Sequence, residues 1–492
     1  MARSKAVLWI VLIAQFMVVL DATIVTVALP SIQSGLHFDS QTQLQWVINA
    51  YILLFGGFLL FGGRAGDLLG RQRLFIIGLA LFGLSSLVNG LAQNSETLIV
   101  GRAVQGLGGA LTSPAVLSII LVTFESVKDR TKALGAFSAV TASGSGAGML
   151  AGGILTEWVD WRAIFLVNVP IAAIAIIGAI KVVANSRHRI EGQKNRMDLP
   201  GAVTITAGLM LLVYAIVNAD DWGWGSGKFI GFVAGAAALI VAFFVIESVS
   251  KQPLVRLGIF RHRALAVSNG SMLLMTGGVF VMMFFPVLYW AEIKGYSPIK
   301  VGLAFLPWPA AMAVASTFAQ KLIGKAGPKA ALWPGLLIIA GGLFWLGFVH
   351  PTSNYAGDFL PGMLLTAIGA GFAWASLFLV ASVGVKPEES GLASGLINTS
   401  QQLGSAIGLA ILASVAAAYT SSLVADGTPA NDALVKGFDR GFMIGAAVLV
   451  ASALVAFLGL RARDGRHTPE ETPVEPSPDE VPSVALEPAM GD

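Results

Sequence analysis

Residues 44–93 read LQWVINAYILLFGGFLLFGG, then RAGDLLGRQR, then LFIIGLALFGLSSLVNGLAQ. The outer blocks are apolar runs of about 20 residues, and at 1.5 Å rise per residue each is long enough to cross a hydrocarbon layer of about 30 Å as a helix. The block between them carries Arg64, Arg71 and Arg73 with one acid, Asp67. A pair of lipid-crossing helices joined by a short basic connector is the unit this stretch predicts. Read outward from it, the rest of the chain repeats that unit.

The composition agrees. Over 492 residues, 55% are hydrophobic, 12% are charged and none is cysteine. Mean hydropathy is +0.76. A soluble domain carries about 25% charged residues, so this chain lacks the polar surface to cover soluble cores. That argues against a soluble enzyme, a nucleic-acid binder or a disulfide scaffold. A net charge of +3 is too small to suggest nucleic acid as a partner.

Apolar runs separated by charged or Pro/Gly-rich breaks fall at 7–29, 44–62, 74–93, 97–124, 133–155, 163–184 and 199–218. They continue at 229–248, 264–289, 300–320, 331–349, 359–384, 391–418 and 438–460. The fold class is therefore all-α integral membrane, with about fourteen spans. Lys and Arg sort with the alternation, roughly 23 on one side against 6 on the other, which predicts that both termini are cytoplasmic. The first run is long for a signal peptide and Asp21 interrupts it, so an uncleaved anchor is expected. From 461 the chain turns acidic and Pro-rich, through Glu470, Glu471, Glu475, Asp479 and Glu480, and a disordered tail is expected.

Span five carries Gly135, Gly144 and Gly148, and span thirteen carries Gly395, Gly404 and Gly408 with the same spacings. The match sits at equivalent places in two six-span halves, with spans seven and eight inserted between them. Transporter folds are often built from such repeats, with the substrate site at the midplane between the halves. Close helix packing through small residues is the alternative reason for these glycines, and the two are compatible.

The connector Gly63–Arg73, taken with the span count, resembles the signature of the major facilitator superfamily. Within it, Asp67 among cations, Gly70, Arg71 and Arg73 would form a charge latch between two helices; a plain topology-setting loop is the rival. Leu20-Asp21-Ala22-Thr23-Ile24-Val25, followed by Val27-Ala28-Leu29-Pro30, looks like the first-helix motif of that superfamily's fourteen-span drug/proton antiporter family. Arg102 with Gln105, Gly106 and Gly108 is similar to its fourth-helix motif. Trp161-Arg162 with Phe165, Asn168 and Pro170 resembles the start of its helix six, and Gly391-Leu392-Ala393-Ser394-Gly395 with Asn398 and Gly404 its helix thirteen. In span five Gly144, Gly148, Gly152 and Gly153 match the antiporter signature as conformational-switch positions, but Met149 stands where the family has Pro, which removes a kink determinant from the helix. Thr26 stands where the first-helix motif usually has Asn. The resemblance implies two six-helix halves, 1–184 and 251–460, a linker with two extra helices at 185–250 and a tail at 461–492.

Asp21 and Arg102 are the clearest ionisable residues deep inside spans. Even on insertion scales a charge at a helix centre costs roughly 2.5–3.5 kcal/mol, so each must face protein or water. Counted from the ends of the runs, Asp21 lies about 12 Å and Arg102 about 9 Å deep. A carboxylate that meets Arg in one state and is shielded in another can load and release a proton; a fixed pair that only locks helices is the alternative. The resemblance adds a role for the helix-four Arg in proton coupling. Asn49, Gln105, Trp308, Asn398 and Gln401 are candidate cavity residues, with Trp290 near a span end where aromatic belts occur. The second half lacks an acid well inside spans nine, ten and thirteen, so neutral or amphiphilic cargo is as expected as dications.

These readings converge on a proton-coupled antiporter that exports amphipathic small molecules such as drugs, antibiotics or toxic metabolites, in a bacterial inner (plasma) membrane. The proton gradient would be its energy source, and no cofactor or metal is expected. An exporter of lipids or cell-envelope precursors is the rival within transport. A non-transporting sensor or scaffold is the rival outside it, and has no need of Asp21. No nucleophile–base set lies within the spans, so an enzyme is not expected.

Overall fold

The computed structural model describes residues 2–38, 40–124, 126–184, 198–250, 253–255, 257–381, 383, 385 and 390–461. The tail from 462 onward, the basic loop 185–197 and the segment Lys386-Pro387-Glu388-Glu389 lie outside the described residues. We label the long helices in chain order. They are α1 (Ala2–Leu36), α2 (Trp46–Leu69), α3 (Arg71–Gly90), α4 (Ser95–Thr123) and α5 (Val127–Trp158). Then come α6 (Ala163–Val182), α7 (Leu199–Val217), α8 (Gly227–Val249), α9 (Arg263–Ile293) and α10 (Pro298–Ala326). The last four are α11 (Pro328–Leu346), α12 (Tyr355–Ala381), α13 (Ser390–Ala425) and α14 (Ala430–Gly459).

Thirteen helices among the described residues are long and apolar enough to cross a membrane. The fourteenth, α5, has 32 residues, ample length for a crossing. Its middle, SAVTASGSGAG, is built from small polar and small apolar residues, so it is less apolar than the rest. Such a helix is stable in lipid when its small faces are covered by other helices.

Short polar signals start the helices. The Asn94 side chain accepts the Thr97 N–H at 2.8 Å, and Ser126, Asp198 and Ser226 cap α5, α7 and α8 in the same way. The sharp turns α2–α3 and α10–α11 each pivot on one glycine at positive φ, Gly70 (98°) and Gly327 (87°). Most of the expected connector Gly63–Arg73 is helical: α2 continues to Leu69, and Gly70 alone breaks the chain before Arg71. Ala65, Leu68 and Leu69 are good helix formers, and only the glycine conformation stops them. The first span likewise outruns its apolar run 7–29, because its ends are polar but still helix-compatible.

α1–α6 pack together as one bundle and α9–α14 as a second, while α7 packs on α8 and on α2. The end carrying Ala2 and Arg461 is called here the terminal face. Arg3 donates to the Val182 carbonyl at 3.2 Å, and Lys329 to the Leu460 carbonyl at 2.6 Å, so these ends lie together in each bundle. α8 buries only Ala236, Phe243 and Glu247. Ile230, Val241, Phe244, Val245 and Val249 are exposed along it and are left to lipid.

The glycine repeat is visible as geometry. A Cβ on Gly144, Gly148 or Gly152 would run into Val19, Thr23 or Ile24 of α1. On Gly404 or Gly408 it would run into Leu273 or Gly277 of α9. Thus the fifth helix of each bundle lies against the first through glycines at matched positions. Gly70 and Gly327 occupy matched turns as well.

Candidate functional site

The centre of the first bundle is a closed polar network. The Arg102 Nη1 donates to Asp21 Oδ2 at 2.6 Å, and both side chains are essentially inaccessible, at 1% and 0%. Asp21 Oδ1 accepts from Gln105 Nε2 at 2.7 Å and from Asn168 Nδ2 at 2.8 Å. Gln105 in turn donates to Ser86 Oγ at 2.8 Å, and its Oε1 accepts from Arg102 at 2.7 Å and Asn89 at 2.9 Å. Arg102 Nε donates to the Val47 carbonyl at 3.0 Å, and the guanidinium carbon sits 4.3 Å from the Tyr51 ring centroid. Helices α1, α2, α3, α4 and α6 all contribute to this one cluster.

The physical consequence is tight coupling between helices. A buried ion pair carries a desolvation penalty that only good geometry and full hydrogen bonding offset. Here the carboxylate accepts three bonds, from α4 twice and α6 once, and the guanidinium is shared between Asp21, a backbone carbonyl, an amide and a ring face. Removing the negative charge from Asp21 would therefore loosen α1 from α4 and α6 together.

Sequence reasoning placed Asp21 and Arg102 together, although α1 extends to Leu36 and Asp21 is deeper than the apolar run alone implies. Gln105, expected in the cargo cavity, has both polar ends committed to the ion pair instead. Ser86 and Asn89 were not expected at the site; in sequence they are polar residues near the end of an otherwise apolar run. Tyr51 gave no signal at all, because a tyrosine in an apolar run reads as packing.

The remaining candidates scatter. Trp308 is buried and donates to Thr366 Oγ1 at 3.2 Å inside the second bundle. Asn398 is partly exposed and donates back to the Ser394 carbonyl at 2.8 Å. Gln401 is partly exposed, and its carbonyl accepts from Thr276 at 3.0 Å. Trp290 is not in an interfacial belt: it is 1% exposed, packed among Phe305, Tyr355 and Phe359. The reason is a π-helical turn at Tyr289–Ile293, which sets the indole against the π-helical Tyr355–Phe359 segment. Arg73 is exposed, and the Asp67 side chain lies outside what is described.

The bundles meet along two seams. In the first, the positions a Cβ would take on Gly153 of α5 and Gly302 of α10 are filled by the carbonyls of Pro298 and Met149, and Glu157 accepts the Ile299 N–H at 2.9 Å. Where the family has Pro, the Met149 carbonyl thus forms part of the contact. Towards the terminal face the same helix opens, and Gly135 has nothing within 4 Å of a Cβ position. In the second seam, Gln402 of α13 fills the space beside Gly56 of α2, and Leu60 that beside Gly395.

Gln45, just before α2, and Asn49 fall in helical register with Gly56, which faces the second seam. They are 1% and 0% exposed, and all four of their side-chain polar atoms lack hydrogen-bond partners. A buried amide that stays without any partner costs about 1–3 kcal/mol. Opening the seam would return that cost by letting water or cargo reach them. Asn49→Leu is expected to raise the melting temperature of the purified protein while slowing transport. A melting temperature that stays level or falls would show that the amides are not a stored penalty.

Comparison with known proteins adds the following. A sequence profile described as the Major Facilitator Superfamily matches residues 11–409. The chain is 36% identical over 465 residues to a puromycin resistance protein of Streptomyces alboniger, covering 92% of this chain and 91% of that protein. It is 37% identical over 444 residues to a cephamycin export protein of Amycolatopsis lactamdurans, covering 90% and 89%. Among solved structures, an auto-inhibited peptide transporter of the POT family superposes with a TM-score of 0.69 at 14% identity, covering 95% of this chain and 99% of that one. At that identity the likeness speaks for the fold alone.

Proposed function

Because the chain belongs to the major facilitator superfamily, a family of membrane transporters, we propose that it is a proton-coupled antiporter exporting amphipathic small molecules. The family and the fold carry the word transporter. The printed functions of the relatives, puromycin resistance and cephamycin export, support drug-like cargo and a bacterial plasma membrane. The basic bias of the terminal face supports cytoplasmic termini.

The observation that carries proton coupling is the buried Asp21–Arg102 pair, at 2.6 Å. Asp21 is the group that takes the proton. With the carboxyl protonated, Arg102 keeps only its neutral partners, and α1 is freed to move against α4 and α6. Loss of the proton restores the pair. The glycine faces of α5 and α13 let those helices slide on α1 and α9 without side chains in the way, and the unpaired amides of Gln45 and Asn49 favour opening of the seam that Gly56 faces. The proton gradient then supplies the work, since a state change that follows protonation is biased by the pH difference across the membrane.

The test is reconstitution into lipid vesicles with puromycin, a cephamycin and ethidium under an imposed pH gradient. Uphill movement of at least one of them that collapses with the gradient is expected. Movement that is indifferent to the gradient would remove proton coupling. Absence of movement for all three, with lipid transfer between leaflets instead, would favour the envelope-lipid exporter.

A further inference from the structure

The second bundle contains a carboxylate that the apolar runs hid. Span fourteen begins in sequence at 438, which placed Lys436 and Arg440 outside and left Asp439 at the margin. In the structure α14 starts at Ala430, so Asp439 lies about 13 Å along the helix axis. Its side chain is half-buried, and its Oδ1 has less than 1 Å² exposed and no hydrogen-bond partner.

The surroundings are apolar: rings, with Pro286, Val349 and Val435 beside them. Phe285 and Tyr289 of α9, Phe359 of α12, and Phe438 and Phe442 of α14 stand around the carboxyl. Phe285 stacks on Phe438 at 5.0 Å, and Tyr289 lies 4.6 Å from Phe359. The Val349 amide is directed at the carboxyl group. The Tyr289 hydroxyl donates elsewhere, to the His350 carbonyl at 2.6 Å.

Nearby charges are committed to other partners. Lys294 donates to the Pro351 carbonyl at 2.8 Å, and Arg440 lies 5.6 Å from the Tyr419 ring centroid. Asp358 accepts the Asn354 N–H at 2.7 Å, and Lys436 is exposed. His350, beside Val349, and Glu292, Tyr296, Tyr355 and Asp432 are the other titratable groups on the adjoining segments. The ion pairs found among the described residues join Arg102 to Asp21 and Arg162 to Asp160, and neither involves Asp439.

An ionised carboxylate in a mainly apolar pocket carries a desolvation cost unless a counter-ion or hydrogen bonds offset it. Here Oδ1 is shielded from solvent and has no partner, and neither ion pair found among the described residues involves the carboxyl, so a proton is the cation that would neutralise it in place. The repeat adds an independent argument. In the first bundle Asp21 on the first helix is held by Asn168 on the sixth. In the second, α9 and α14 take those places, and Asp439 on the sixth helix faces Phe285 and Tyr289 on the first.

We propose that Asp439 is a second proton-binding carboxylate, carried by the second bundle near the face opposite the termini. This rests on the proton-coupled reading above. When α9 separates from α14 the carboxyl is exposed, and a hydronium ion hands its proton to Oδ1, forming an O–H bond and leaving water; the proton returns to water through a like opening. Each bundle would then carry its own proton site on the same pair of helices.

Infrared spectra of the full-length protein at neutral pH test the proton directly. The wild type minus Asp439→Asn difference should contain the C=O stretch of a protonated carboxyl group, sensitive to D2O. Asp439→Glu should move that band rather than remove it. The band should survive in Asp21→Asn. A difference spectrum without a carboxyl band would overturn the proposal. In vesicles exporting ethidium, Asp439→Asn should also lower the number of protons counted per ethidium, and an unchanged count would overturn the coupling role. Wild-type vesicles that export ethidium with no proton movement would sink the antiport reading instead, while the infrared band would still decide whether Asp439 holds a proton.

Discussion

Asp21→Asn is expected to abolish uphill, pH-gradient-driven export and to destabilise the first bundle. The variant leaves Arg102 charged, 1% exposed and without its carboxylate. Breaking one side of a buried ion pair costs about 3–5 kcal/mol, because the remaining charge is uncompensated. Two effects are therefore superimposed, and a double variant separates them. Asp21→Asn with Arg102→Gln removes both charges, so it should recover much of the melting temperature but none of the gradient-driven transport. Recovery of transport together with stability would mean that the pair is only a lock between helices. Loss of both in the double variant would mean that the network is needed as a whole for folding.

The second large effect is steric. Gly148→Val on α5 and Gly408→Val on α13 should each block transport and lower the melting temperature. At Gly148 a Cβ would meet the Leu20 carbonyl at 2.8 Å as well as Thr23, and at Gly408 it would meet the Gly277 backbone. Backbone cannot rotate away as a side chain can, so the helices must separate, and overpacking of this kind costs about 1–3 kcal/mol or more. Gly135→Val is the control, since nothing lies within 4 Å of its Cβ position. If Gly135→Val is as damaging as the others, the glycines matter through helix propensity and not through contact. If Gly148→Val and Gly408→Val differ widely, the two bundles do not use their repeated seams alike.

Much of this architecture was legible because lipid imposes a simple rule. A run of about 20 apolar residues must cross, and its backbone must be helical. That rule finds the spans from the 44–93 stretch outward, and the matched glycines on spans five and thirteen point to the repeat. It fails where helices continue past their apolar runs. Gly63–Leu69 looked like a loop and is helix; α14 begins eight residues before its apolar run, which is how Asp439 was missed. Polar residues inside a span announce that something faces protein, and Asp21 and Arg102 were readable for that reason. Which partners they meet is set by tertiary packing. Gln105 therefore fell in the right region but is bonded within the ion-pair cluster, and Ser86, Asn89 and Tyr51 were not separable from ordinary helix contacts. Trp290 misled for another reason: a π-helical turn rotates it inward, and nothing in local composition marks such a turn.

In the proposed cycle a proton at Asp21 and the cargo are exchanged for one another. The most direct measurement reverses the drive. Vesicles containing the reconstituted protein and a trapped pH dye are given, with no initial pH difference, a gradient of whichever of puromycin, the cephamycin or ethidium the wild type carries. The wild type should move protons against the direction of cargo flow, and Asp21→Asn should move none. Proton movement of equal size in Asp21→Asn would contradict the assignment of Asp21, and cargo flow without any proton movement in the wild type would contradict antiport itself.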